Sequence, residues 1–201
     1  MKNILKLALP VLACVVIIAC KKEDKEETPA PNKGSVTYDG KTYTMNRVII
    51  EDNGLDTSVG LTNIDIIMLT EGVVTHESNG QIDSVSGSGS VLVLELYSDF
   101  NGALKTGVYN FADTTVSINS IGDAYIIADY NFTTDEGGSY TQFESGSANI
   151  TSASSSRVAF NFSGTAAQLP ISGSFSGTFS FYVDNSATAK ISESFPALTV
   201  N

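Results

Sequence analysis

His76 is the only histidine in the chain, and it stands in the run THESNG between two apolar stretches. A Ser-His-Asp triad would have to use it as the base, yet no Gly-x-Ser-x-Gly elbow accompanies it. The nearest match, GSFSG at Gly173 to Gly177, puts Phe175 where the nucleophile should be and lies inside an alternating run. A zinc centre needs about four N, S or O ligands, with at least a pair spaced on one element, and a single histidine does not supply them. His76 therefore reads as a solvated loop residue. Acid chemistry has more material. Glycoside cleavage uses two carboxyl groups about 5–10 Å apart across a cleft, and Glu95, in VLVLELY opposite Leu92, Leu94 and Leu96, is the first acid to consider. Its plainer reading is an outward residue on a half-exposed strand. The runs EDNGLD (Glu51 to Asp56) and TTDEGG (Thr133 to Gly138) gather oxygens around glycine as a calcium loop does, without the EF-hand spacing. Acidic turns are the commoner source of that pattern, so no cofactor is expected, with calcium the one ion left open.

The cysteines carry a different message. Lys2 and Lys6 precede an apolar run from Leu7 to Ala19, the charge and length pattern of a secretory signal. The run falls short of the roughly 20 apolar residues that a membrane-spanning helix needs. It ends Ile17-Ile18-Ala19-Cys20, which resembles the lipobox of bacterial lipoproteins. That resemblance implies cleavage between Ala19 and Cys20 and acylation of the Cys20 thiol, with Cys14 removed with the signal. Each buried methylene contributes about 0.8 kcal/mol, so two or three acyl chains make a durable anchor in the outer-membrane bilayer. No thiol then remains for catalysis.

Residues 20–33 follow as a tether: KKEDKEETPAPNK, from Lys21 to Lys33, is neutral overall and has no large apolar side chain with which to order itself. Lys22-Glu23-Asp24 resembles the export signal of Bacteroidota surface lipoproteins, which implies a final position facing the medium. Asp83-Ser84-Val85 and Asp113-Thr114-Thr115 resemble the acceptor of Bacteroidota O-glycosylation, which would make Ser84 and Thr114 the modified residues, both on expected loops.

These residues must be positioned by one domain, expected over 34–201. Its five cations (Lys41, Arg47, Lys105, Arg157 and Lys190) meet eighteen acids, a net charge of −13. Such a field repels phosphate backbones, so nucleic acid is excluded as a partner. Apolar residues alternate at a period of two throughout, with no convincing helical period. The clearest run is ISGSFSGTFSFYVD, Ile171 to Asp184, with Ile171, Gly173, Phe175, Gly177, Phe179, Phe181 and Val183 on one face. Glycines on that inner face let a strand bend. Further strands are expected at Ser35 to Tyr38 and Lys41 to Glu51, flanking an Asp39-Gly40 turn of type I′. Leu61 to Thr70, Val91 to Tyr97, Thr106 to Phe111, Ala124 to Phe132, Tyr140 to Ile150 and a run around Phe160 follow. Ile191 to Val200 could add an edge strand, and Gln81 to Gly89, rich in Ser and Gly, reads as a loop. The fold class is all-β: one antiparallel barrel or curved sandwich of about nine strands.

Three motifs in order, Thr106-Gly107-Val108-Tyr109-Asn110-Phe111, Ser145 to Thr151 (SGSANIT) and Ile171 to Phe179 (ISGSFSGTF), resemble a set of uncharacterised Bacteroidota surface lipoproteins. The resemblance covers roughly residues 104–183, implies a lipid-tethered antiparallel domain, and brings no catalytic residues. The leading expectation is a non-enzymatic module that binds a glycan, a polymer or an envelope protein. Tyr97, Tyr125, Tyr130, Tyr140 and Tyr182 could form an aromatic platform for sugar, although tyrosines also cover cores and bond at their rims. One alternative is a calycin-like barrel carrying a small apolar ligand, without the Gly-x-Trp signature of typical lipocalins. A second is a glycan-active enzyme with paired carboxylates.

Overall fold

The structure, a computed structural model, describes residues 31–78, 81–99 and 104–183. The expected signal sequence, Ala19, Cys20, Lys22, Glu23, Asp24 and the possible Ile191 to Val200 strand lie outside the described residues. Within them there are twelve strands and no helix: β1 (Lys33–Tyr38), β2 (Lys41–Thr44), β3 (Arg47–Asp56), β4 (Leu61–Leu69), β5 (Val73–Ser78), β6 (Gln81–Ser98), β7 (Gly107–Phe111), β8 (Ser120–Asn131), β9 (Glu136–Ala153), β10 (Arg157–Ala166), β11 (Leu169–Thr178) and β12 (Ser180–Val183). The all-β expectation holds, with more strands than the nine anticipated. Asn32 and Lys33, placed in the tether by composition, already belong to the fold. Lys33 pairs with Ser176, and the Asn32 carboxamide accepts the Thr178 amide hydrogen at 2.8 Å.

Eleven strands run in the order β12-β3-β4-β6-β8-β7-β9-β10-β11-β1-β2, and β5 pairs with the first half of β6. The pairings are antiparallel except β7–β8 and β12–β3. β8 and β9 are a hairpin from their turn, where Asn131 faces Glu136, as far as Tyr125 and Gln142, and they splay beyond that to admit β7. The sheet curls into a half-barrel, and the chain itself requires it to. β11 is near one end of the order and β12 at the other, yet only Phe179 separates them; β2 and β3 are likewise joined by Met45 and Asn46 alone. Flat sheets cannot satisfy both links, whereas the natural twist of adjacent strands brings the two ends together.

Side-chain alternation then divides the apolar residues. One face of β3, β4 and β6 sends Val48, Ile50, Ile64, Ile66, Met68, Leu92, Leu94 and Leu96 into the concave core, where they meet Tyr109, Phe160, Phe162 and Phe175. The opposite face carries a second cluster, Ile49, Ile67, Leu69, Val91, Val93, Ile127 and Tyr130, packed with Val73 and Ile82 of the β5–β6 hairpin. β4 is consequently buried from Thr62 to Leu69 on both faces. Fully burying an aliphatic side chain of this size is worth about 1.5–3 kcal/mol, which is why the central strands are nearly continuous in apolar residues.

Two local expectations are corrected. Gln81 to Gly89 is strand, the first half of β6, because ladder hydrogen bonds do not depend on side-chain size and small residues permit a tight crossing. At Gly87, whose φ is +85°, a Cβ would lie 2.1 Å from the Gly72 carbonyl oxygen. The run ISGSFSGTFSFYVD is two strands rather than one, broken at Phe179 where the chain leaves β1 for β3. The Asp39-Gly40 turn is as expected, with φ of 48° and 71°.

Candidate functional site

The break at Phe179 opens a cavity of about 470 Å³. Ile50 of β3, Phe181 of β12, Phe179 between the strands, and Leu104 ahead of β7 form its apolar wall, with Ala153, Ser154, Ser155 and Val158 around the β9–β10 turn. Leu104, Ala153 and Phe179 also rest against the main core, so the pocket is a continuation of that core which the chain leaves open. Its rim is firmly built. Ser154 Oγ accepts the Arg157 amide hydrogen at 3.1 Å and the Ser154 amide donates to the Arg157 carbonyl at 2.9 Å. On the other side the buried Tyr109 hydroxyl donates to the Lys105 carbonyl at 3.1 Å, and Lys105 pairs with Asp99, which holds the segment carrying Leu104. Phe179 and Phe181 meet edge to face, 6.5 Å between centroids, and Phe181 remains 51 % exposed. The volume falls in the range of small-molecule sites, which are concave and mainly apolar.

A second constellation lies on the outer face. Glu51, Asp65, Glu95 and Asp123 occupy consecutive register positions across β3, β4, β6 and β8. Asn63 donates its amide hydrogen to Glu95, Asn53 donates to the Asn63 carboxamide oxygen at 2.9 Å, and Gln142 donates to Asp123 at 2.9 Å. The Tyr97 hydroxyl lies 3.4 Å from Asp56 and 3.5 Å from Glu95. Burial, and next the Glu95 charge, push Tyr97 up to about 12. Burial and then the Asp65 charge raise Tyr125 strongly. Glu51 and Asp65 are 2 % and 1 % exposed, which closes them to an incoming polymer, while Glu95 and Asp123 are half-buried.

Other expected residues are dispersed. Glu95 is opposite the three leucines, as the alternation implied. His76 is on β5 rather than in a loop, with Nε2 2.6 Å from Ser86 Oγ on the neighbouring strand; no carboxylate among the described residues orients its other nitrogen. EDNGLD is not a free loop but the bulged end of β3, where Asp52 and Asp56 accept the Gly54 and Ser58 amide hydrogens at 2.9 Å. TTDEGG forms the β8–β9 turn, and Asp135 accepts the Tyr130 hydroxyl hydrogen. Among the described residues no three His, Cys, Asp or Glu side chains are grouped to hold a metal ion. Ser84 is exposed on β6, not in a loop, whereas Thr114 is exposed between β7 and β8 as expected.

The tyrosine platform is not assembled. Tyr97 and Tyr130 are buried, and Tyr125 and Tyr140 pack on each other at 5.2 Å beside the outer cluster. Sequence reading missed the pocket, whose lining comes from four separate stretches of chain and has no common motif. It also missed Asp65, although an acid interrupting an apolar alternation, as in NIDIIML, was a usable signal, and it took Glu51 only as part of the EDNGLD run. No family model, curated protein or solved structure matches this chain.

Proposed function

We propose that this protein is a lipid-anchored outer-membrane module, facing the cell exterior, that binds a small apolar ligand at the rim of its half-barrel without transforming it. Among the expectations raised by the sequence, the apolar-ligand alternative has the better support. The observation that carries it is the 470 Å³ cavity whose wall is built from Ile50, Leu104, Val158, Phe179 and Phe181. A phenylalanine half exposed at the mouth of an apolar cavity, as Phe181 is, is unfavourable in isolation and favourable once covered. The barrel interior proper is filled by side chains, so the ligand belongs at the rim, in contrast to a calycin that encloses its cargo. The glycan alternative loses support because its tyrosines are engaged in packing. Attachment through Cys20 and export through Lys22, Glu23 and Asp24 remain part of the reading on the strength of their sequence patterns alone.

The test is a titration of the lipid-free chain with an apolar naphthylamine dye. Saturable binding at one site is expected, weakened about fivefold or more by Phe181→Ala, since removing half-buried aromatic surface forfeits about 1 kcal/mol. Absence of saturable binding, or equal binding by a folded Phe181→Ala variant, would overturn the reading.

A further inference from the structure

In a domain of net charge −13, no acidic side chain among the described residues lines the cavity. Of the five described cations three are engaged, and Lys33 stands exposed at the start of β1. Lys41 pairs with Asp129 at 2.5 Å, Lys105 pairs with Asp99, and Arg47 donates to Thr75, while Lys190 lies outside the described residues. Arg157 differs: its backbone closes the Ser154 turn, but its guanidinium has no ion-pair or hydrogen-bond partner among the described residues.

Its place in the fold gives that charge a use. Arg157 opens β10, immediately before the pocket residue Val158 and two positions after the pocket residue Ser155. Strand alternation directs Val158 into the cavity and starts Arg157 from the lip, away from the floor. A long side chain anchored at a lip keeps its head in water beside an apolar surface. A guanidinium there can meet a planar carboxylate through two parallel hydrogen bonds. No acid is among the described residues of the wall, and the Ser155 hydroxyl can supply a donor at the same edge.

We infer that the ligand is a free, single-chain anionic amphiphile, with its hydrocarbon part in the cavity walled by Ile50, Leu104, Phe179 and Phe181 and its carboxylate at Arg157. This rests on the pocket reading above and adds the chemistry of the head group. The polarity follows from the geometry: the apolar end enters toward Ile50 and the core, and the charged end stays at the lip.

Calorimetric titrations with decanoate, decanol and decylammonium separate the two propositions. Decanoate should bind roughly fivefold more tightly than decanol, the scale of a partly solvated ion pair, and decylammonium more weakly than either. Added salt should weaken decanoate and leave decanol unchanged. Arg157→Gln should bring decanoate down to the level of decanol without altering decanol, and Arg157→Lys should keep most of the preference. Equal affinity for decanoate and decanol, or a preference that survives Arg157→Gln, overturns the head-group assignment while the pocket stands. Failure of all three compounds to bind sinks the pocket reading and this inference with it.

Discussion

Ile50 and Phe181 hold the same register position on the parallel strands β3 and β12, and both line the rim cavity. Their neighbours Glu51 and Tyr182 are paired in the same way but face outward, Glu51 into the carboxylate row and Tyr182 toward the outer cluster, where its hydroxyl donates to Glu77. One short parallel pairing at the β12 end of the curled sheet thus serves both faces. A seam of four residue pairs is also where the core packing stops, which is why the cavity lies there.

The Phe162 ring packs directly over Gly173, its cross-strand partner. A Cβ at Gly173 would come within 2.6 Å of two ring carbons and 2.5 Å of the Ser35 carbonyl oxygen. The glycine therefore makes room for an aromatic ring and a neighbouring strand, beyond the bending suggested by its position in an alternating run. Gly173→Ala should destabilise the fold by about 1–3 kcal/mol. Urea denaturation measures this, and an unchanged midpoint would contradict the packing account.

Alkaline pH should weaken the fold from a definite starting point. Tyr97 is pushed up to about 12 by burial and by Glu95, and Tyr182 to about 12 by burial and by its hydrogen bond to Glu77. Unfolded tyrosines release their protons near 10. Between about pH 10 and 12 the unfolded chain thus holds fewer protons than the folded one, so stability is fully present below 10 and declines as pH rises through that window. Denaturation midpoints between pH 8 and 11, read beside tyrosinate absorbance, should show the decline. Tyr97→Phe should make it shallower, and a slope identical to the parent's would count against the assignment.

Glu95 stands directly between Asp65 and Asp123, and like charges at opposing positions of a sheet are unfavourable. Glu95→Gln keeps an oxygen to accept the Asn63 hydrogen and removes one charge from the row. The variant should be more stable than the parent by about 0.5–1 kcal/mol. Thermal melting decides the matter; a loss of stability would mean that the charge at Glu95 is needed to hold the network together.

Cys20→Ser should abolish acyl labelling and release the protein from membranes, while Lys22, Glu23 and Asp24 replaced by alanine should leave labelling intact and reduce protease access on whole cells. Fractionation after radiolabelled palmitate feeding tests both. Membrane association that persists in Cys20→Ser would remove the anchor from the functional reading.

Much of this fold was legible from residue order because a half-buried strand writes its two environments into alternate positions. Leu92, Leu94 and Leu96 against Glu95, and the Asp39-Gly40 turn, needed nothing beyond local sterics and the exclusion of apolar groups from water. β5 and the first half of β6 escaped because VVTHES and QIDSVSGSG are too polar to announce burial. Their strand character comes from pairing with each other, and the few apolar residues they carry are satisfied by the outer face of a sheet remote in sequence.

The site obeys different physics. Ile50, Leu104, Val158 and Phe181 read as ordinary core positions, and alternation alone would bury them all. Leaving Phe181 half exposed required that the chain turn at Phe179, pair β12 in parallel with β3, and stop short of filling the corner. The same curl brings Arg157 to that corner. Sequence by itself determined which faces of each strand are apolar, because that depends on immediate neighbours; only tertiary structure decided where the apolar faces fail to meet, because a cavity is a property of surfaces that the chain brings together from far apart.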